Sequence, residues 1–295
     1  MSVVRSMAGM LAGGALAGLV AGPALADPGV RIEHAAARVV VIPEARSDYA
    51  ISIDQGRAGL KPLHVGHDGG VISVDGGYDN HNGFGIFLGV WSGLNCHGRP
   101  GQETVHIPDR GEVAVADLPL ITIHAPMDVR IGAGQAVFGE VRGAPHSLEL
   151  GDSGCGDWRV GDVHGPTHLA VSGSGDIRAG SVGEARISIS GSGDVSLGLV
   201  NGRLETHTSG SGDILAASVV GPIATKIAGS GDVTVQGGHA PSVQADIAGS
   251  GDLKFHGDAG SVSVNIAGSG DVDIAHATGP ISKHVVGSGD VNIGR

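Results

Sequence analysis

The residues with the most obvious chemical potential are aspartates that recur at one interval. The tetrapeptide Gly173-Ser174-Gly175-Asp176 returns with its last residue at Asp194, Asp213, Asp232, Asp252, Asp271 and Asp290, and a degenerate first copy reads Gly154-Cys155-Gly156-Asp157. The steps between successive aspartates are 19, 18, 19, 19, 20, 19 and 19 residues. A row of like carboxylates repels itself unless each one accepts hydrogen bonds, binds a cation or is partly protonated. One chemistry to weigh is therefore a calcium ladder formed by Asp176, Asp194, Asp213, Asp232, Asp252, Asp271 and Asp290. Calcium-binding β-roll repeats carry G-G-x-G-x-D-x-U-x every nine residues. Here one GSGD serves a whole period and no second oxygen donor accompanies it, whereas calcium takes six to eight ligands. The expectation is instead that each Asp accepts N–H bonds of its own Gly-rich turn, with the glycines supplying positive φ or close backbone approach.

Catalysis finds little support in the same residues. Adjacent carboxylates on neighbouring coils would suit a retaining glycosidase, yet an acid/base pair requires two unlike environments, and a repeat supplies like ones. His164, His168, His207, His239, His256, His276 and His284 fall at varied positions relative to the GSGD turn and predict no shared site. The Gly-Ser-Gly tripeptides lack the G-x-S-x-G frame of a nucleophile elbow, and no phosphate loop opens a helix. No cofactor is expected.

The elements that position the aspartates follow from alternation. Ile187-Ser188-Ile189-Ser190 precedes one GSGD turn and Val195-Ser196-Leu197 follows it, and the same frame recurs at Val264, Ile266, Val272 and Ile274. Period-2 alternation marks strands with one buried face. A second turn closes each unit at Gly183, Gly202, Gly221-Pro222, Gly260 or Gly279-Pro280. Strand-and-turn units with no helix between them bury their apolar faces by stacking like on like. The predicted fold is all-β, a parallel β-helix (solenoid) with about 19 residues per coil. Seven steps of about 4.8 Å make the repeat region roughly 34 Å long.

Upstream the pattern loosens. Residues 27–150 read as irregular N-terminal β coils and a cap, continuous with a regular repeat over 151–295. Tyr78, Phe84, Phe87 and Trp91, four of only eight aromatics, predict an aromatic cap over the open end of the stack, with a carbohydrate or peptide platform as the alternative. A stack of coils also predicts end-to-end self-association. Cys96 and Cys155 are the two cysteines and sit in no metal or CxxC spacing. Two unpaired thiols are the alternative to a disulfide, which would close a loop of about 60 residues and contribute about 4 kcal/mol by chain entropy.

Residues 1–26 carry one charge, Arg5, then an Ala/Leu/Gly/Val run ending Ala24-Leu25-Ala26, the pattern of a cleavable secretory signal. Export, to the periplasm or the cell exterior, is expected. With 54 Gly, 13 Pro and a hydrophobic content of 41%, long helices and a disordered chain are both excluded. A net charge of −12 argues against nucleic-acid or anionic-membrane partners, and no later segment is long and apolar enough to span a membrane.

The exported start, the strand Val39 to Ile42, the segment Ile121 to Ile131 and the GSGD run resemble the bacterial family described as putative auto-transporter adhesin, head GIN domain. The resemblance implies a β-helical domain without an assigned activity and supplies no catalytic residue. The sequence thus predicts a non-catalytic, adhesin-like or scaffolding module at the cell envelope, its partner an unknown protein or glycan. The alternative is a polysaccharide-binding or polysaccharide-processing β-helix. A glycan reader would set aromatics or unlike charges along one strand face, whereas the ladder positions carry small residues and Asp.

Overall fold

A computed structural model describes residues 29–78, 93–99, 101–108 and 110–294. It is all-β, with 64% of residues in strands and a parallel β-solenoid of about nine turns set roughly 19 residues apart. Among the described residues no helix is long and apolar enough to cross a membrane. The expected signal segment lies outside the described residues, as do Phe84, Phe87 and Trp91.

The N-terminal strands are β1 (Val30–Glu44), β2 (Ala50–Asp54), β3 (His64–Asp68), β4 (Val71–Asp75), β5 (Asn95–His97), β6 (Thr104–Ile107), β7 (Gly111–Ala114), β8 (Leu120–Pro126) and β9 (Asp128–Val141). The less regular portion has a definite logic. β1 is an inner strand, paired in parallel with β9 on one side and with β4 and then β8 on the other. The first described strand therefore lies in the second layer, and the chain runs outward from it to build the first before returning to continue the stack. β2 lies antiparallel on β8 and β3 antiparallel on β4, covering that end. β5, β6 and β7 form a separate antiparallel sheet that contributes Val105 and Ile107 to a second small core with Ala36, Leu118 and Ala136.

From β10 (Ser147–Asp152) the solenoid is regular: β11 (Trp158–Val160), β12 (Val163–Val171), β13 (Ile177–Ala179), β14 (Val182–Ile189), β15 (Val195–Val200) and β16 (Leu204–Thr208) begin a series that continues to Val291–Ile293. Each strand before a GSGD turn pairs with its counterpart one coil away, as β10 with β12 and β12 with β14. Alternate residues point inward, so Leu150, Leu169 and Ile187 form one buried column and Leu148, Thr167 and Ala185 the one beside it. Two threonines that enter one column satisfy each other, Thr206 Oγ1 donating to Thr225 Oγ1 at 3.1 Å. The largest buried ring among the described residues, Trp158, fits because its partner in β9 is Gly139, where any Cβ would run into the indole.

Candidate functional site

The aspartate ladder is built differently from the sequence expectation. Each carboxylate from Asp157 to Asp271 reaches to the next coil and not into its own turn. The backbone N–H of Asp176 donates to Asp157 Oδ1 at 3.1 Å, that of Asp194 to Asp176 at 3.0 Å, and those of Asp213, Asp232, Asp252, Asp271 and Asp290 each to the preceding Asp at 2.8 Å. In return the residue after each Asp from Asp157 to Asp271 donates to the carbonyl of the following one, as Ile177 N to Asp194 O at 2.8 Å. Each aspartate from Asp157 to Asp271 is thus a clamp between two coils.

The glycines serve the same packing. In Gly173, Gly175, Gly193 and Gly212 a Cβ would strike the carbonyl of the equivalent glycine one coil before. Close approach explains them, and positive φ does not, since these four lie outside that region. Further charge is offset by two basic side chains. Arg178 Nη2 donates to Asp176 Oδ2 at 2.8 Å with Nη1 3.5 Å from Asp157, and Lys254 Nζ lies 3.2 Å from Asp252 and 3.9 Å from Asp232. The bond to Asp252 holds the Lys254 ammonium above its ordinary pKa. Among the described residues no group of three or more His, Cys, Asp or Glu converges as a metal site.

The cysteines are brought together. Cys96 in β5 and Cys155 in the first, degenerate turn form a disulfide with Cα atoms 5.7 Å apart, tying the small sheet to the solenoid. Tyr78 packs against the second core, and Lys61 Nζ sits 4.9 Å from its ring centre. Gln135 Nε2 donates to the Tyr78 carbonyl at 3.2 Å.

Unlike charges gather on a face where the sequence reading expected none. Register places Arg130, Glu149, His168, Arg186 and Glu205 in one column on five consecutive coils, β9, β10, β12, β14 and β16. They line a cleft of about 390 Å³, within the range of small-ligand sites. Arg130 Nε lies 3.6 Å from Glu149 Oε2, and Arg186 Nη2 lies 3.1 Å from Glu205 Oε1, which also takes a 3.0 Å bond from His207 Nε2. That bond, with Arg186 beside it, holds the Glu205 carboxyl below its ordinary pKa. Burial, aided by Arg186, pushes the His168 imidazole down, so it is neutral at pH 7. Three covered atoms on this wall have no hydrogen-bond partner among the described residues: Glu149 Oε2, His168 Nε2 and Arg186 Nε.

The charged column follows the period of the repeat. Glu149, His168, Arg186 and Glu205 each stand eight residues before the Asp of their own turn, at 157, 176, 194 and 213. The period that locates the aspartates also aligns this column, and it stays charged for those coils before giving way to Ala224, Gln244 and Ser263.

The other unusual carboxyl faces inward. Asp152 ends β10 at a position filled by Ala133 before it and by Val171 after it. It is 2% exposed. Its Oδ1 accepts from Gly154 N at 3.1 Å, while Oδ2 has no partner among the described residues. Burial pushes its pKa up to about 7, against the Gly154 bond and with help from Asp157.

Fold and site together define a parallel β-solenoid with a structural aspartate ladder at the GSGD turns and a mixed-charge cleft on the strands that precede them. Residues 196–294 match the family described as putative auto-transporter adhesin, head GIN domain. The chain is similar in structure to a putative adhesin from Parabacteroides distasonis, with a TM-score of 0.52, 15% identity, and coverage of 91% of this chain and 93% of that one. It is equally similar to a putative lipid binding protein from the same organism, with a TM-score of 0.52, 16% identity, and coverage of 92% and 95%. At this identity the likeness shows the fold. No curated protein matches the chain. Most of the cleft lies N-terminal to the family-matched segment.

Proposed function

We propose that the protein is an exported, non-catalytic binding module of the bacterial envelope, a rigid solenoid that presents a recognition face. The observation that carries this reading is the division of labour among its charged groups. The repeat carboxylates are engaged in holding coil to coil, while unlike charges stand together on one face. A polysaccharide-cleaving site pairs a carboxylate with a carboxylic acid kept protonated near neutral pH. On this face Glu205 is held in its charged form, and the carboxyl that burial raises, Asp152, points into the core. The signal-like start and the adhesin-family match over 196–294 support an envelope location.

The test is cosedimentation of the purified mature chain with cell envelopes of the producing bacterium, alongside an assay for new reducing ends in envelope polysaccharide. Saturable binding without release of reducing ends is the expected result. Catalytic release, or no saturable binding, overturns the reading.

A further inference from the structure

The cleft along β9, β10, β12, β14 and β16 has a composition that selects its ligand. Its ionised walls balance: Arg130, Arg186 and Arg203 face Glu149, Glu184 and Glu205. Three positive and three negative charges leave no net charge, so neither a polyanion nor a cation gains from entering it. The repeat turns, with their row of carboxylates, add a negative field nearby that further disfavours anions. An apolar tail would strip water from these charged heads without replacing its hydrogen bonds.

The side chains of the wall narrow the choice further. Along one column the cleft is lined by the carboxylate of Glu149, the imidazole of His168 and the guanidinium of Arg186. Glu149 Oε2, His168 Nε2 and Arg186 Nε are covered, so a ligand meets the outer polar atoms of these partly exposed groups. Neighbouring coils are about 4.8 Å apart, so complementary groups on a ligand must recur at that scale and must both give and accept protons. Hydroxyl groups do so: each has one donor and two acceptor positions, so a hydroxyl can satisfy carboxylate, neutral imidazole and guanidinium alike. His168 is neutral at pH 7 because burial lowers its pKa, which preserves one donor and one acceptor nitrogen. The charged stretch spans four steps between coils, about 19 Å, and beyond it the column becomes Ala224. The site is therefore finite and suits a short chain segment.

We propose that this cleft binds an uncharged, hydroxyl-rich oligosaccharide, held by Glu149, His168 and Arg186 on three successive coils. The proposal rests on the binding-module reading and gives it a ligand class. The side chains are partly exposed, 30% for Glu149 and 35% for Arg186, so they can be exchanged without opening the core.

The experiment is isothermal titration and saturation-transfer NMR of the purified chain with a panel of neutral glucan, mannan and galactan tetrasaccharides, with oligogalacturonate as the anionic comparison. Glu149→Gln, Arg186→Gln and Ser263→Ala are compared with the native protein, with circular dichroism melts to establish that each is folded. The expected result is binding of at least one neutral tetrasaccharide. Affinity should fall about tenfold or more in Glu149→Gln and Arg186→Gln, the change that loss of a hydrogen bond to a charged group carries. Ser263→Ala, on the same column outside the cleft, should bind unchanged. Preference for oligogalacturonate, equal binding by the cleft variants, or no binding of any neutral glycan overturns the proposal. If envelopes still bind saturably in that last case, only the ligand class has failed; loss of envelope binding removes the module reading as well.

Discussion

Asp152 gives the stack a pH dependence that can be worked out from its surroundings. The group is 2% exposed and carries one oxygen without a partner among the described residues. Its pKa rises from 3.8 to about 7, a shift of roughly 3 units, equivalent to about 4 kcal/mol at 1.36 kcal/mol per unit. In the unfolded chain the carboxyl loses its proton near pH 4, whereas in the folded chain it keeps the proton until about pH 7. Between those values the folded state binds more protons, so stability falls as pH rises and this contribution levels off above pH 7. Asp152→Asn keeps an oxygen for the Gly154 N–H and cannot ionise. Urea unfolding of both proteins at a series of pH values from 4 to 8 isolates the effect, because every other carboxylate is shared. The stability of Asp152→Asn relative to the native protein should climb by several kcal/mol across that range, with about 4 as the upper figure. Parallel profiles would refute the reasoning and place an ordinary carboxyl at this position.

Three further outcomes follow from the ladder and its anchor. Gly212→Ala places a methyl group against the Gly193 carbonyl and should cost about 1–3 kcal/mol in urea unfolding; an unchanged midpoint counts against close approach as the reason for the glycines. Thermal melts in chelator and in millimolar calcium should coincide, because Oδ1 of the inter-coil aspartates already accepts an N–H; a large calcium-dependent rise revives the cation ladder. Replacing Cys96 and Cys155 by serine should lower stability by up to about 4 kcal/mol, from the entropy of an open 59-residue loop, and free thiols in the unreduced native protein would contradict the bridge.

What the sequence made legible was whatever repeats. The GSGD interval and the alternation around it specify parallel stacking and the coil length, because each unit carries the same instruction. The route of β1 was not legible: its pairing with β4, β8 and β9 joins segments up to about a hundred residues apart, and no local pattern states which strands meet. The inward aim of Asp152 was available in the alternation Leu148, Leu150, Asp152, but its setting among Gly151 and Ser153 resembles a turn. The charged column was hidden because its residues differ in type. Recognising it requires aligning coils by position before comparing chemistry, and a search for like residues passes over Glu149, His168, Arg186 and Glu205.

The central claim is that the aspartate ladder builds the scaffold while recognition belongs to the mixed-charge face. Saturation binding to envelopes tests it most directly when two double variants are compared at equal folded concentration. One is Glu149→Gln with Arg186→Gln, and the other is Asp213→Asn with Asp232→Asn, whose amide oxygens can still accept the next coil's N–H. The account predicts that the first loses about tenfold or more in affinity and the second binds as the native protein does. Binding abolished in the ladder variant and intact in the face variant would contradict it.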